Sequence, residues 1–178
     1  MNKVIFVIDM QNDFVTGSLG SKEAQACVPY AAKLIEQAAA DGDKTVFTFD
    51  THGDGYFNTL EGKKLPIAHC KIGSAGWNLY EDIAVAARKS TNQAVLPKDT
   101  FGAIKDITKY VPEGTKEIIL CGLCTDICVV SNALILRAYY PDMPIRVVAN
   151  ACAGTSPERH KAALAVMESC QIDVDYMK

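Results

Sequence analysis

The strongest constraint on the fold is a set of short apolar runs that show almost no polar alternation. "KVIFVID" (3–9), "KTVFTFD" (44–50), "KEIILCG" (116–122) and "PIRVVAN" (144–150) carry apolar or β-branched side chains at neighbouring positions. A strand with one wet face alternates apolar and polar residues. A strand buried on both faces does not, and that pattern belongs to parallel sheets covered by helices on each side. Helical patterns separate the runs. They cover 23–42, ended by Gly42, then 78–90, then 126–140, stopped before Pro141. A last helix spans 156–170 and places Pro157 at its first position, where an amide needs no intrahelical partner. "QAVLPK" (93–98) and "QIDVDYM" (171–177) complete six strands. The expected architecture is α/β: three α/β/α layers around a mostly parallel six-stranded sheet, in the Rossmann-like order 3-2-1-4-5-6, as a single domain over residues 1–178.

Composition narrows the function. The 178 residues are 49% hydrophobic and 22% charged, a globular balance that suits one core. The net charge is −3 and no basic stripe occurs, which argues against nucleic acid as a partner. The opening "MNKVIFVIDMQNDF" has an apolar run too short for a membrane span and no signal-peptide cleavage region. No membrane partner is expected, and the expected location is cytoplasmic. Seven cysteines, an odd number without a secretory signal, argue against a disulfide framework.

In open α/β sheets, ligands bind beyond the carboxyl ends of the strands, at the switch point of the strand order. Asp9, Asp50 and Lys98 end the first three strands, and the fourth runs into "CGLCTDICVV" (121–130). Each residue alone has an ordinary explanation, a turn aspartate or a solvated lysine. Their convergence at one sheet edge is what points to a site. Thr125 is expected to cap the following helix, with its hydroxyl on the amide near Cys128. Cys128 would then sit in the first turn, where the helix dipole lowers a thiol's pKa. Cys121 reads as a core residue and Cys124 as a turn residue. Their Cys-x-x-Cys spacing keeps a redox or metal role open, although the second such pair of a structural zinc site is absent. His160, between Arg159 and Lys161, reads as a solvated surface residue. Asp50 and His52 in "DTH", with His69 later in the long 51–77 connection, are donors suited to a divalent metal, although two histidines in one loop also arise by chance.

Taken together, "VIFVIDMQNDFVTGSL", "FDTH", "HCKIGSAGWNL", Pro97-Lys98 and "GLCTDICV" resemble the isochorismatase-like cysteine hydrolases, especially the nicotinamidases, from Val4 to about Ser156. The resemblance implies a catalytic triad of Asp9, Lys98 and Cys128. It implies an oxyanion hole from the backbone amides of Cys124 and Cys128, with a cis peptide between Leu123 and Cys124. It implies metal ligands Asp50, His52 and His69 for a divalent ion, zinc first, with manganese or iron compatible, and no organic cofactor. Cys124 stands where the family carries alanine, so its side chain is expendable. The implied activity is hydrolysis of a small carboxamide through a thioester, with nicotinamide giving nicotinate and ammonia. The implied partners are a small-molecule amide and further copies of the chain in a homo-oligomer.

Two departures bear on the substrate. Asn58 stands where some nicotinamidases have a further metal-site histidine. Leu65 replaces an aromatic residue that flanks the pyridine ring, and one extra residue precedes His69. Phe14, Leu65 and Trp77 are the candidate substrate contacts. The alternative within this fold is a metal-independent amidohydrolase acting on a carbamoyl or ureido compound. An isochorismatase proper cleaves a vinyl ether without a cysteine nucleophile, so Cys128 speaks against it. A thiol redox protein using Cys121 and Cys124 is the reading from another class.

Overall fold

A computed structural model describes residues 2–178. Its sheet runs β3-β2-β1-β4-β5-β6, with every neighbouring pair parallel. The strands are β1 (Lys3–Ile8), β2 (Lys44–Asp50), β3 (Gln93–Lys98), β4 (Glu117–Leu123), β5 (Ile145–Ala153) and β6 (Asp173–Asp175). This is the expected doubly wound order. The helices are α1 (Asn12–Val15), α2 (Lys22–Asp41), α3 (Leu60–Lys64), α4 (Glu81–Ala87), α5 (Val130–Tyr139) and α6 (Pro157–Ser169). Val4 to Ile8 and Ile118 to Leu123 are buried throughout, as central strands covered on both faces must be. Phe6 is fully buried in β1, and its truncation to alanine would cost about 3–5 kcal/mol.

Local chemistry sets the element ends. Ser21 caps α2 by accepting from the Ala24 amide at 3.0 Å, and Gly42 ends it in the left-handed conformation at φ +69°. Ser156 caps α6, with Pro157 at its start. Three departures from the expected bounds have a visible cause. The helix expected from 78 begins only at Glu81, because Leu79 bridges to Gln11 and the Tyr80 amide bonds Met10 O at 2.9 Å. β5 runs on to Ala153, since its end pairs with the end of β4 across a register shift. The helix expected from 126 opens as a wide turn over Thr125–Val129, where the Val129 amide bonds Cys124 O five residues back.

Gly122 explains how β1 and β4 close on each other at their carboxyl ends. It has φ +120°, and a Cβ there would lie 2.1 Å from Ile8 O. Only glycine serves at that position. The close approach sets the residue after β1, Asp9, beside the turn that follows β4. No helix among the described residues is long and apolar enough to cross a membrane.

Candidate active site

The site is assembled from the carboxyl ends of β1, β2, β3 and β4. The motif Asp9-Met-Gln-Asn-Asp13 supplies three separate services. Asp9 sits just past β1 at φ +49°, an uncommon conformation for a residue with a side chain, and is fully buried. Its Oδ1 accepts from Thr48 Oγ1 at 2.6 Å. Gln11 ties β1 to β2 by accepting from the Asp50 amide (2.8 Å) and donating to Asp50 O (3.0 Å). Asp13 accepts from the Cys70 amide at 2.7 Å and so holds the segment that carries His69. Sequence reasoning found Asp9 but gave Gln11 and Asp13 no role. Their signal was the alternate spacing itself, which continues a strand-like period past the strand's end.

Lys98, buried at the end of β3, places Nζ 2.6 Å from Asp9 Oδ2, 3.5 Å from Cys128 Sγ and 3.3 Å from Asp50 Oδ1. Asp9 Oδ2 meets Lys98 Nζ as a buried ion pair and has no further partner among the described residues. Burial lowers the Lys98 pKa, but the charges of Asp9, Cys128 and Asp50 outweigh it and push it up, so Lys98 stays an ammonium. Burial raises the Asp9 carboxyl, with Lys98 opposing. Asp9, Lys98 and Cys128 therefore come together in one buried cluster.

The thiol itself differs from expectation. Burial and the neighbouring Asp9 charge raise the Cys128 pKa well above the ordinary thiol value, against the lowering by Lys98. Its place in a first helical turn does not offset full desolvation. The capping expectation also changes. Thr125 does not cap the turn: Cys124 occupies the cap position without a side-chain bond, and Thr125 Oγ1 pairs with His160 Nδ1 at 2.8 Å. His160 is accordingly half-buried rather than solvated. The Leu123–Cys124 peptide is cis, and the Cys124 amide has no protein acceptor among the described residues.

Asp50, His52 and His69 do converge, and a fourth donor joins them. His52 Nε2 and His69 Nε2 lie 2.9 and 3.4 Å from Asp50 Oδ2, and 3.6 and 3.8 Å from Glu61 Oε1. A tetrahedral ion with donors about 2.0–2.2 Å away needs donor separations of about 3.3–3.6 Å; the four separations bracket that range, so this largely buried group can close on a divalent metal with small side-chain shifts. His69 Nδ1 bonds Ile67 O at 2.9 Å, which leaves its other nitrogen bare to ligate. Tyr56 packs on both rings, with centroids 4.5 Å from His52 and 5.1 Å from His69. Burial opposes ionisation of Asp50, but the bonds from His52 and His69 and the charge of Lys98 prevail and hold its carboxyl low. Asn58 leaves no gap in the donor set, because Glu61 fills it from α3. The segment between His52 and His69 offers two acids, and the other, Asp54, pairs with Lys71 in solvent at 2.7 Å. Only the fold distinguishes them.

Beside these groups opens a cavity of about 430 Å³, with Asp50, Glu61, His69 and Cys128 among its walls. Phe14, Leu65, Phe101 and Ile127 supply apolar surface, and the exposed Arg159 stands at its edge. Trp77 is not part of the cavity. Its ring packs on Phe49, with centroids 5.1 Å apart, and Nε1 donates to Thr51 Oγ1 at 2.9 Å. Those contacts brace the β2 end, while Phe14 and Leu65, the other two expected contacts, line the cavity.

All seven cysteines are free. Cys121 is fully buried in β4 and burial pushes its thiol up, while burial takes Cys124 up to about 12. Neither is the ready thiolate that disulfide exchange requires.

The isochorismatase domain model matches residues 3–174. The chain belongs to the isochorismatase family. The nicotinamidase/pyrazinamidase of Mycobacterium tuberculosis is 26% identical over 187 aligned residues, covering 97% of both chains. The crystal structure of nicotinamidase/pyrazinamidase from Bacillus subtilis superposes with a TM-score of 0.86 at 29% identity, over 98% of this chain and 100% of that one. The N-carbamoylsarcosine amidase of Thermoplasma acidophilum follows at 0.79 and 26%, over 99% and 96%. This isochorismatase-family hydrolase is close to the nicotinamidase/pyrazinamidase group.

Proposed function

We propose that the protein hydrolyses a small planar carboxamide through a cysteine thioester, with nicotinamide as the leading substrate. The observation that carries this reading is the contact of Lys98 with both Asp9 and Cys128 at the wall of a mostly apolar cavity. Cys128 rests as a thiol, and Asp9, its own pKa raised by burial, takes the proton on Oδ2 as sulfur attacks the amide carbon. The Cys124 and Cys128 amides hold the oxyanion. Collapse breaks the C–N bond, and Asp9 returns the proton to the departing ammonia. Asp9 then deprotonates a water that attacks the thioester, and the carboxylate leaves as Cys128 regains its proton. Lys98 keeps its charge throughout and offsets whichever of its neighbours is anionic.

Asp50, His52, Glu61 and His69 would hold a divalent ion, zinc, manganese or iron, and such an ion supplies a Lewis-acid anchor for a substrate ring nitrogen or a water. Phe14 and Leu65 would flank the ring from the apolar side.

A second reading is supported by Arg159 at the cavity edge and by the N-carbamoylsarcosine amidase likeness. It is a carbamoyl or ureido acid whose carboxylate pairs with that guanidinium. Ammonia release from nicotinamide, pyrazinamide, benzamide and N-carbamoyl amino acids separates the two. The first reading expects nicotinamide and pyrazinamide to lead the panel. Turnover of the carbamoyl acids alone would transfer the assignment to the second.

A further inference from the structure

The oxyanion turn is braced from behind by a histidine that the hydrolytic chemistry does not touch. Thr125 directly follows Cys124, is fully buried, and bonds His160 Nδ1 at 2.8 Å. Its hydroxyl has no other partner among the described residues. The start of α6 grips the same turn at a second point. Asp126 accepts from the Thr155 amide (2.8 Å) and from Thr155 Oγ1 (2.6 Å). Gly154 packs between them so closely that a Cβ would lie 2.9 Å from both Asp126 Oδ1 and His160 Cα. Burial holds His160 below the ordinary imidazole value, with Asp126 opposing, so the ring stays neutral near pH 7. An oxyanion hole works by donors fixed in advance, and a misplacement of about 1 Å can cost about 10²-fold.

We propose that His160 is a positioning residue for the hydrolysis: through Thr125 it fixes the peptide that presents the Cys124 amide to the oxyanion. The proposal rests on the amide-hydrolysis reading above. It predicts a selective defect. Stabilisation of a tetrahedral oxyanion should weaken, while displacement chemistry at Cys128, which forms no oxyanion, should not.

The test compares wild type, His160→Ala, His160→Gln, Thr125→Val and the double variant His160→Ala/Thr125→Val. Pyridine-3-carboxaldehyde probes the tetrahedral state, because its hemithioacetal with Cys128 carries the oxygen into the hole. Iodoacetamide labelling probes the nucleophile alone. His160→Ala should lower kcat for nicotinamide and aldehyde affinity in parallel, by about 10–100-fold, with KM and the labelling rate within about twofold. His160→Gln should recover part of the loss. His160 also lines a second cavity of about 330 Å³, so added imidazole can reach the vacated space and should restore kcat in His160→Ala. Thr125→Val should show a similar defect that imidazole does not relieve, and the double variant should be no worse than either single one. A His160→Ala protein with unchanged kcat and aldehyde affinity overturns the proposal. So does one whose labelling rate falls as far as kcat, since that marks general loss of structure. If wild type neither binds the aldehyde nor releases ammonia, the hydrolysis reading itself fails and takes the proposal with it.

Discussion

Lys98 Nζ lies 3.3 Å from Asp50 Oδ1, and this contact joins the Asp9–Lys98–Cys128 cluster to the Asp50–His52–Glu61–His69 group. One buried ammonium therefore faces Asp9, Asp50 and Cys128 together. Its charge lowers the thiol's pKa against burial and against Asp9. Lys98→Met keeps most of the stem and deletes the charge. The thiol, already raised, should rise further, so less thiolate exists at any given pH. The midpoint of iodoacetamide labelling should move to higher pH, and kcat/KM should fall by at least about 10²-fold. A labelling profile that superimposes on wild type would show that Lys98 does not act on sulfur.

The two cysteines of the turn should separate cleanly. Cys128→Ala removes the attacking atom and should abolish turnover and active-site labelling. Cys124 contributes its backbone amide, and its thiol is pushed up to about 12 by burial. Cys124→Ala should keep activity within roughly a few-fold, since the amide survives and alanine fits a turn of this size. Retained turnover in Cys128→Ala would refute covalent catalysis here.

Much of this was legible in the sequence because it depends on strand ends. The unalternated runs gave the sheet, the sheet gave its carboxyl edge, and Asp9, Asp50, Lys98 and Cys128 all fall on that edge. What was not legible depends on contacts between connections. Glu61 enters the metal group because Thr59 caps α3 by accepting from the Gly62 amide at 2.9 Å, and no spacing rule separates it from Asp54. Thr125 reads as a cap because its type and position fit one. The wide turn instead gives its hydroxyl to His160, a residue of a distant helix. The Cys128 shift runs opposite to the sequence expectation for a similar reason. A helix start favours the thiolate, but the degree of burial is a property of the whole fold.

Gly62 should prove as necessary to the metal group as a ligand. A Cβ there would lie 2.2 Å from Tyr56 O and 2.9 Å from Phe57 Cα, both backbone atoms that cannot turn aside. Gly62→Ala should displace α3, carry Glu61 out of reach of His52 and His69, and cost about 1–3 kcal/mol. Glu61→Gln removes one anionic donor without that strain. Both variants, equilibrated with zinc and desalted, should hold less metal than wild type by elemental analysis, while Cys128 labelling persists. Equal metal content in all three proteins would remove Glu61 from the ligand set.

Trp77 and Leu65 offer a last separation, between holding the site and touching the substrate. Trp77 lies outside the cavity, and its indole donates to Thr51 Oγ1 at 2.9 Å beside the end of β2. Trp77→Phe keeps the ring contact with Phe49 and deletes the donor, at a cost of about 0.5–1.5 kcal/mol. It should lower Tm by a few degrees on the scale of such a loss and leave KM for nicotinamide unchanged. Leu65 does line the cavity. Leu65→Ala opens that wall, so KM should rise about 10-fold, the worth of one or two lost apolar contacts, with little change in kcat. Leu65 is only half-buried, so its truncation should disturb folding less than a core change does. Thermal melts read beside steady-state kinetics decide the matter. A KM that follows Trp77 instead of Leu65 would mean that the ring binds on the β2 side of the site, and that the cavity beside Phe14 and Leu65 serves another purpose.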